Sequence, residues 1–440
     1  MAGSDGRPGG ARRFWSGRRL LVAGLIGALT AVVLTIGVMN FRGAERQIQT
    51  SLEHKYGVAD PQFLRELGIL LGPAILPGNR IENLENGEQI FPAMLAAIKG
   101  AKETIDFETY IYWSGAVGKK FGAALEERAR AGVNVHVLLD WVGSQKMDRT
   151  MVDQLKSAGV QVQLYHPLHW YNLGMINHRT HRKLLVVDGR VGFTGGVGIA
   201  DQWDGHSQDP DHWRDSHYRL EGPAVAQMQA AFLDNWIKTS GKVLSGEGYF
   251  PPLKPAGDRM AQVFTSSPSG GGDSMQLMYL LSITAAEKTI DLSAAYFVPD
   301  DLTKRALREA MRRGVKLRVI VPGNYIDLAV VRRASRDGWG ELLQDGAEIY
   351  EFQPTMFHCK AMIVDSRLAS VGSTNFDNRS FRLNDEANLN VYDHAFAERL
   401  EDVFENDLKR SRQITYQAWK DRPLREKIAE RISSFLSSQL

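Results

Sequence analysis

Two stretches of the sequence share one frame. "HRKLLVVD" from His181 and "HCKAMIVD" from His358 fix His, Lys and Asp at identical spacing, 177 residues apart, with apolar residues between them. A turn of small residues follows each, "GGVG" from Gly195 and "GSTN" from Gly372. Each His-x-Lys heads an apolar run and therefore opens a strand. Side chains alternate along a strand, so His181 and Lys183 share one face and His358 and Lys360 share another, while Arg182 and Cys359 point away. Two imidazoles can divide the work of nucleophile and general acid. Two ammonium groups can hold non-bridging oxygens as a phosphorus centre becomes five-coordinate. This is the equipment of phosphodiester exchange without a metal ion or other cofactor. One such frame alone would read as a satisfied core histidine beside a solvated lysine; two with matching tails do not. Cys359, the one cysteine of the chain, is expected to pack and not to react, and it excludes an internal disulfide.

The elements that must position these groups are duplicated as well. "IFPAMLAAIKGAKETI" has helical spacing, "IDFETYIYW" reads as a strand, "GKKFGAALEERARAG" as a helix stopped at Gly132, and "VNVHVLLD" as a buried strand. The same order returns in "MYLLSITAAEKTI", "DLSAAYFVP", "LTKRALREAMRRG" and "VKLRVIVPG". Ala101, Thr104, Ile105 and Asp106 answer Ala286, Thr289, Ile290 and Asp291. Strands alternating with helices call for a sheet covered on both faces. The fold class is therefore α/β, with two pseudo-symmetric lobes over 76–245 and 259–420, each a mixed sheet flanked by helices. The Gly/Pro-rich stretch 245–258 divides them.

The doubled pattern H-x-K-x4-D-x6-G-[GS]-x-N resembles the phospholipase D superfamily. The phrases around it, among them "FETYIYW", "GVNVHVLLDWVGS", "WRDSHYRLEGPAV" and "VGSTNFDNRSFRLNDEANL", are similar to bacterial cardiolipin synthases. The resemblance runs over roughly residues 75–420. It implies two phospholipase D-like lobes and a phosphatidyltransferase that joins two phosphatidylglycerol molecules, releases glycerol and passes through a phosphatidyl-histidine. His181 would attack phosphorus and His358 would serve as acid and base, although these two roles can be exchanged. Lys183, Lys360, Asn375 and Ser373 would hold the phosphoryl oxygens. Asp215 and Glu386 match the acidic positions that orient the histidines, as a carboxylate on one ring nitrogen fixes the tautomer and raises the basicity of the other. Asp188 and Asp365 end their strands and would brace the motif. One departure stands out: Gly198 occupies the place of the pattern's Asn, which removes an amide donor. A phospholipase D-type hydrolase using the same site is the alternative activity, and a catalytically lapsed membrane scaffold is the alternative class.

The remainder of the chain bounds the setting. Of the 440 residues, Leu20–Met39 form twenty without a charge, the length of a membrane-crossing helix. Five arginines precede this stretch, which would keep residues 1–19 cytoplasmic and carry the catalytic lobes across the cell membrane. A helical spacer is expected over 44–75. Net charge is +2, of which the first 19 residues supply +4, so the rest is slightly acidic and unsuited to nucleic acid. The expected partners are a phospholipid substrate and the membrane, with no protein partner. A loop rich in His206, Asp209, Asp211, His212, Asp215 and His217 has the composition of a zinc site but no regular ligand spacing, and no metal is expected there. His178 reads as a surface loop residue. The segment 423–440 is a basic amphipathic helix with Leu424, Ile428, Ile432, Phe435 and Leu436 on one face. It is expected to pack on its own domain, with an anionic membrane surface as the alternative.

Overall fold

The structure, a computed structural model, describes residues 11–41, 48, 50–168, 177–268 and 274–435. It divides into two units: residues 1–44 with 168–177, and the rest of the chain. In the first unit Ala11–Phe41 forms one helix on which Leu20, Leu21, Leu25, Ile26, Leu29, Val32, Val33 and Leu34 are exposed. Among the described residues, no helix is long and apolar enough to cross a membrane. The side chains at 36–39, the last part of the expected span, lie outside the described residues, as do residues 1–10, 44–47 and 436–440.

The second unit is built on one long sheet. Its first half contributes β1 (Leu76–Glu85), β2 (Thr104–Thr109), β3 (Asn134–Asp140), β4 (Gln161–Tyr165), β5 (Arg179–Thr180), β6 (Leu184–Val187), β7 (Val191–Gly195) and β8 (Ser216–Glu221). The second half contributes β9 (Arg259–Ser266), β10 (Thr289–Ala294), β11 (Phe297–Val298), β12 (Lys316–Pro322), β13 (Glu348–Phe352), β14 (Lys360–Val364), β15 (Leu368–Gly372), β16 (Phe376–Asp377), β17 (Asn384–Tyr392) and β18 (Ser411–Ile414). Read across the sheet, the order is β4-β3-β2-β6-β7-β8-β1 and then, mirrored, β9-β17-β15-β14-β10-β12-β13, closed by β18. In each half three parallel strands adjoin an antiparallel ladder.

The expectation of a sheet in each lobe needs one correction: the two sheets are continuous. Strands β1 and β9 pair antiparallel, Leu76 with Ala261 and Asn79 with Arg259, so neither half leaves that edge open. Burial shows the same fusion. Strand β6 reads "LLVV" because both of its faces are covered. Leu185 and Val187 enter a core with Phe107, Phe121 and Phe193, whereas Leu184 and Val186 enter another with Phe232, Trp236, Val263, Ile363 and Leu389. That second core draws on both halves. Its helical cover is Val225–Ser240 and His394–Leu408.

Two peripheral expectations are refined. Within 44–75 the described helix is Pro61–Leu70, opened by Asp60, whose carboxylate accepts the Gln62 N–H, and by Pro61 in its first turn. The C-terminal helix Leu424–Ser434 does pack on its own domain, but through Glu430 and Ser433. Leu424, Ile428, Ile432 and Phe435 face outward.

Candidate active site

The two histidines are held by a crossed backbone arrangement. Just before His181, β5 pairs parallel with the start of β17, and the His181 N–H donates to the Asp385 carbonyl at 2.9 Å. The next residue along β17 is Glu386, whose carboxylate oxygens lie 2.9 and 3.0 Å from His181 Nδ1. The mirror image holds His358. Phe357 bridges Arg214, the His358 N–H donates to the Arg214 carbonyl at 2.8 Å, and the next residue, Asp215, places Oδ2 2.7 Å from His358 Nδ1. Each half thus orients the histidine of the other. An ionised carboxylate only accepts hydrogen bonds, so both Nδ1 atoms carry the proton; this leaves His181 Nε2 for chemistry, while His358 Nε2 lies 3.3 Å from Lys360 Nζ.

The lysines follow the face-sharing argument. Lys183 Nζ donates to the His181 carbonyl and Lys360 Nζ to the His358 carbonyl, each at 2.7 Å, leaving further donors on both ammonium groups. Tyr110 closes one flank: its ring lies 5.3 Å from the His181 ring and 5.6 Å from Lys183 Nζ. Trp203 and Trp213 close the other, with ring centroids 5.3 and 5.6 Å from His358.

The electrostatics couple both motifs. Burial pulls His181 down to about 4, with Lys183 and Lys360 adding to the fall and Glu386 opposing it. Burial likewise lowers Lys183 to about 7, where Lys360 adds to the drop and Glu386 and Asp215 resist it. His358 is lowered by burial and by Lys360, against Asp215. Burial pushes Asp215 and Glu386 upward, but His358 and His181 respectively, helped by the lysines, hold both below the ordinary carboxylate range. At neutral pH the free site therefore presents neutral imidazoles over ionised carboxylates.

The other expected residues take varied places. Ser373 donates its hydroxyl to Glu386 Oε2 and accepts the Ala387 N–H. Asn375 is 4% exposed and its Oδ1, an acceptor only, has no partner; toward a phosphate oxygen the amide would use its NH2. Gly198 is explained by crowding. A Cβ there would stand 2.9 Å from Ile111 Cβ and 3.1 Å from the Trp203 ring. Trp203 fills the place, and its indole N–H donates to Asp215 Oδ2 at 2.9 Å. Asp188 and Asp365 stand just past the far ends of β6 and β14 from their histidines. Asp188 accepts the N–H groups of Lys102, Glu103 and Thr104, and Asp365 those of Glu287, Lys288 and Thr289, so they brace strand entries. Cys359 packs among Phe357, Ile320 and Phe404, and burial raises its thiol.

The candidate zinc loop disperses. His206 sits by Glu88, His212 pairs with Asp209, Asp215 serves His358 and His217 is buried on β8. Among the described residues no group of three or more His, Cys, Asp or Glu could hold a metal ion. The His178 carbonyl lies 3.1 Å from His166 Nδ1, and burial lowers the His178 ring. The sequence reading passed over the supports of the crossed pairs. Arg182 reaches the Glu386 carbonyl, Asp234 and the Ser266 carbonyl. Arg214 grips Asp407 through two 2.9 Å bonds and also the Asp215 carbonyl. The available signal was an arginine directly beside a motif residue in an otherwise apolar setting.

Comparison with known proteins finds relatives over most of the chain. A family model described as "Cardiolipin synthase, PLD-like domain" matches residues 94–213 and 279–408, spans that hold both histidine motifs. The chain is 34% identical over 400 residues to the cardiolipin synthase of Listeria monocytogenes serotype 4a (strain HCC23), covering 89% of this chain and 83% of that one. It is 35% identical to the major cardiolipin synthase ClsA of Bacillus subtilis (strain 168), covering 82% and 75%. Among solved structures, phosphatidylserine synthase of Haemophilus influenzae Rd KW20 shares the fold, with a TM-score of 0.64 at 14% identity over 82% of this chain and 95% of that one.

Proposed function

Given that the chain belongs to the cardiolipin synthase family with phospholipase D-like domains, we propose that its crossed histidine–carboxylate pairs carry out phosphatidyl transfer between two phosphatidylglycerol molecules. The protein is a phospholipase D-type phosphatidyltransferase that makes cardiolipin. The observation that supports this mechanism is the exchange of carboxylates between halves, together with the charge of Lys360 bearing on His181 and Lys183.

His181 Nε2 attacks phosphorus, forming the N–P bond as the phosphorus–oxygen bond to glycerol breaks. His358 gives its proton to the departing glycerol oxygen. Lys183, Lys360 and Asn375 hold the non-bridging oxygens. In the free site burial and Lys360 lower His358; an anionic phosphodiester beside Lys360 offsets that charge and lets His358 carry the proton it must give. In the second half the hydroxyl of another phosphatidylglycerol gives its proton back to His358 and its oxygen takes the phosphoryl group from His181. Water competes for the same intermediate, and positioning of the lipid hydroxyl decides the outcome.

The chain acts on lipid from a membrane. We infer that Leu20–Met39 anchors it, that the five preceding arginines hold residues 1–19 in the cytoplasm, and that the lobes over 76–245 and 259–420 work on the far side. Support comes from the uncharged stretch and from the exposed leucines, valines and isoleucine of helix Ala11–Phe41.

The experiment is product analysis of the purified full chain in phosphatidylglycerol vesicles. Cardiolipin and free glycerol in equal amounts are expected, with phosphatidic acid minor. Dominant phosphatidic acid would make the protein a hydrolase.

A further inference from the structure

The helix Leu424–Ser434 is held the wrong way round for a soluble protein. Its inward side is polar. Glu430, 3% exposed, receives Arg422 Nε at 2.6 Å and lies 3.1 Å from Arg336 Nε, while Glu426 lies 3.5 Å from the same arginine's Nη2. Its outward side is apolar: Leu424 is 71% exposed, Ile428 52%, Ile432 64% and Phe435 78%. An amphipathic helix normally gains its place by burying the apolar stripe. Here buried ion pairs fix the helix by its polar side, and the stripe is kept free.

The charges beside the stripe say what covers it. At 100° per residue, Arg425 and Arg431 stand about 60° to either side of Ile428, with Lys427 further round, whereas Glu426 and Glu430 stand about 160° from it, Glu430 buried and Glu426 beside Arg336. An apolar stripe edged by cations, with the acids facing away, complements an anionic lipid surface: the stripe enters the acyl boundary and the cations reach the headgroups. A protein partner would need a complementary acidic rim around an apolar groove. The bilayer supplies both, and it holds the anionic lipid on which the enzyme acts.

The helix is also placed to matter for the reaction. It packs along helix Ala329–Asp337, with Arg431 3.3 Å from Asp337. That helix follows directly on the loop 323–328, which exposes Tyr325 and Leu328. Asp327 in the loop accepts the Tyr296 hydroxyl at 2.6 Å, and its charge bears on His358 and Lys360. From catalytic lysine to loop to stripe, the chain is continuous.

We propose that Leu424, Ile428, Ile432 and Phe435 form a membrane-docking face for anionic phospholipid bilayers, which seats the second half of the site on the lipid surface. This rests on the reading that the substrate is taken from a bilayer.

The test uses the full chain, whose single native cysteine, Cys359, is buried and spares a surface label. Ile428→Cys carrying a polarity-sensitive fluorophore is reconstituted in vesicles of phosphatidylglycerol and phosphatidylcholine with doxyl-labelled lipid, beside a Lys120→Cys control. Doxyl quenching at 428 should exceed the control about threefold or more, and should weaken when phosphatidylglycerol is left out. Quenching no greater than the control overturns the proposal. So does a label shielded from aqueous iodide in detergent and vesicles alike without lipid quenching, the mark of a second copy or another protein. This readout needs no turnover, so it stands apart from failure of the transferase reading. As a second measurement, Ile428→Glu with Ile432→Glu should lower cardiolipin formation on vesicles about tenfold and leave activity in detergent micelles unchanged. An equal loss in both would assign the stripe to folding and overturn the proposal.

Discussion

The charge on Lys183 sets where activity falls in base. His181 is neutral above about 4, so its Nε2 is available through the neutral range, whereas Lys183 loses its proton above about 7. Hence kcat/KM, which reports the free enzyme, should rise through about 4 and fall in two steps, as His358, lowered by burial and Lys360, loses the proton it must give, and above about 7, as Lys183 loses its charge. In Lys183→Arg, weaker overall, the fall above about 7 should vanish because a guanidinium keeps its charge; a limb near 7 that persists in that variant would move that titration to another group. His181→Ala should lower kcat by about 1,000-fold or more and abolish trapping of a phospho-enzyme. If that variant still traps phosphate and His358→Ala never does, the two histidines exchange roles. Trp203→Phe keeps the ring beside Gly198 but removes the N–H on Asp215. It should cost about tenfold in kcat with little change in KM, measured on vesicle substrate. Gly198→Asn, which restores the wider pattern, should not help, because Ile111 and Trp203 leave its Cβ no room; a loss of about 1–3 kcal/mol in thermal or urea unfolding is expected.

At the scale of elements, the strand entries carry stability and not chemistry. Asp188 has φ 52° and gathers three backbone N–H groups; Asp365 has φ 52° and does the same. Asp188→Ala should cost about 2 kcal/mol in unfolding while kcat of the folded fraction holds. A large fall in kcat at unchanged stability would return Asp188 to the reaction. These elements were legible early. The alternation that put His181 with Lys183 and His358 with Lys360 follows from strand geometry alone, and the doubled helix–strand order gave the paired ladders. What stayed hidden needed long-range pairing. Nothing local in "WRDSH" says that Asp215 serves the histidine 143 residues later, because that assignment comes from the bridge between Arg214 and Phe357. Ser373 came in through the resemblance alone, and its hydrogen bond to Glu386 had no local signal either. The outward stripe of Leu424–Ser434 was equally invisible, since periodicity marks a face without saying which way it turns.

For the whole molecule, the crossed carboxylates make the halves interdependent. Residues 259–440 expressed alone would present His358 without Asp215 and an unpaired β9 edge, and should show no transfer activity; mixed with residues 1–258 they should regain it through the β1–β9 pairing and the shared core, as product analysis would show. Activity in either piece alone would dissolve the crossed arrangement. The mirror is imperfect, among other places, where Asn375 on one side answers Gly198 and its covering Trp203 on the other. A perfectly two-fold cleft would accept a phosphodiester in either direction, and so would cleave the diacylglycerol ester as readily as the headgroup ester. One amide, present on a single side, removes that ambiguity. The incoming lipid then has a heading, with its tails and its glycerol assigned to different ends before any bond is made, and the product inherits its connectivity from that choice.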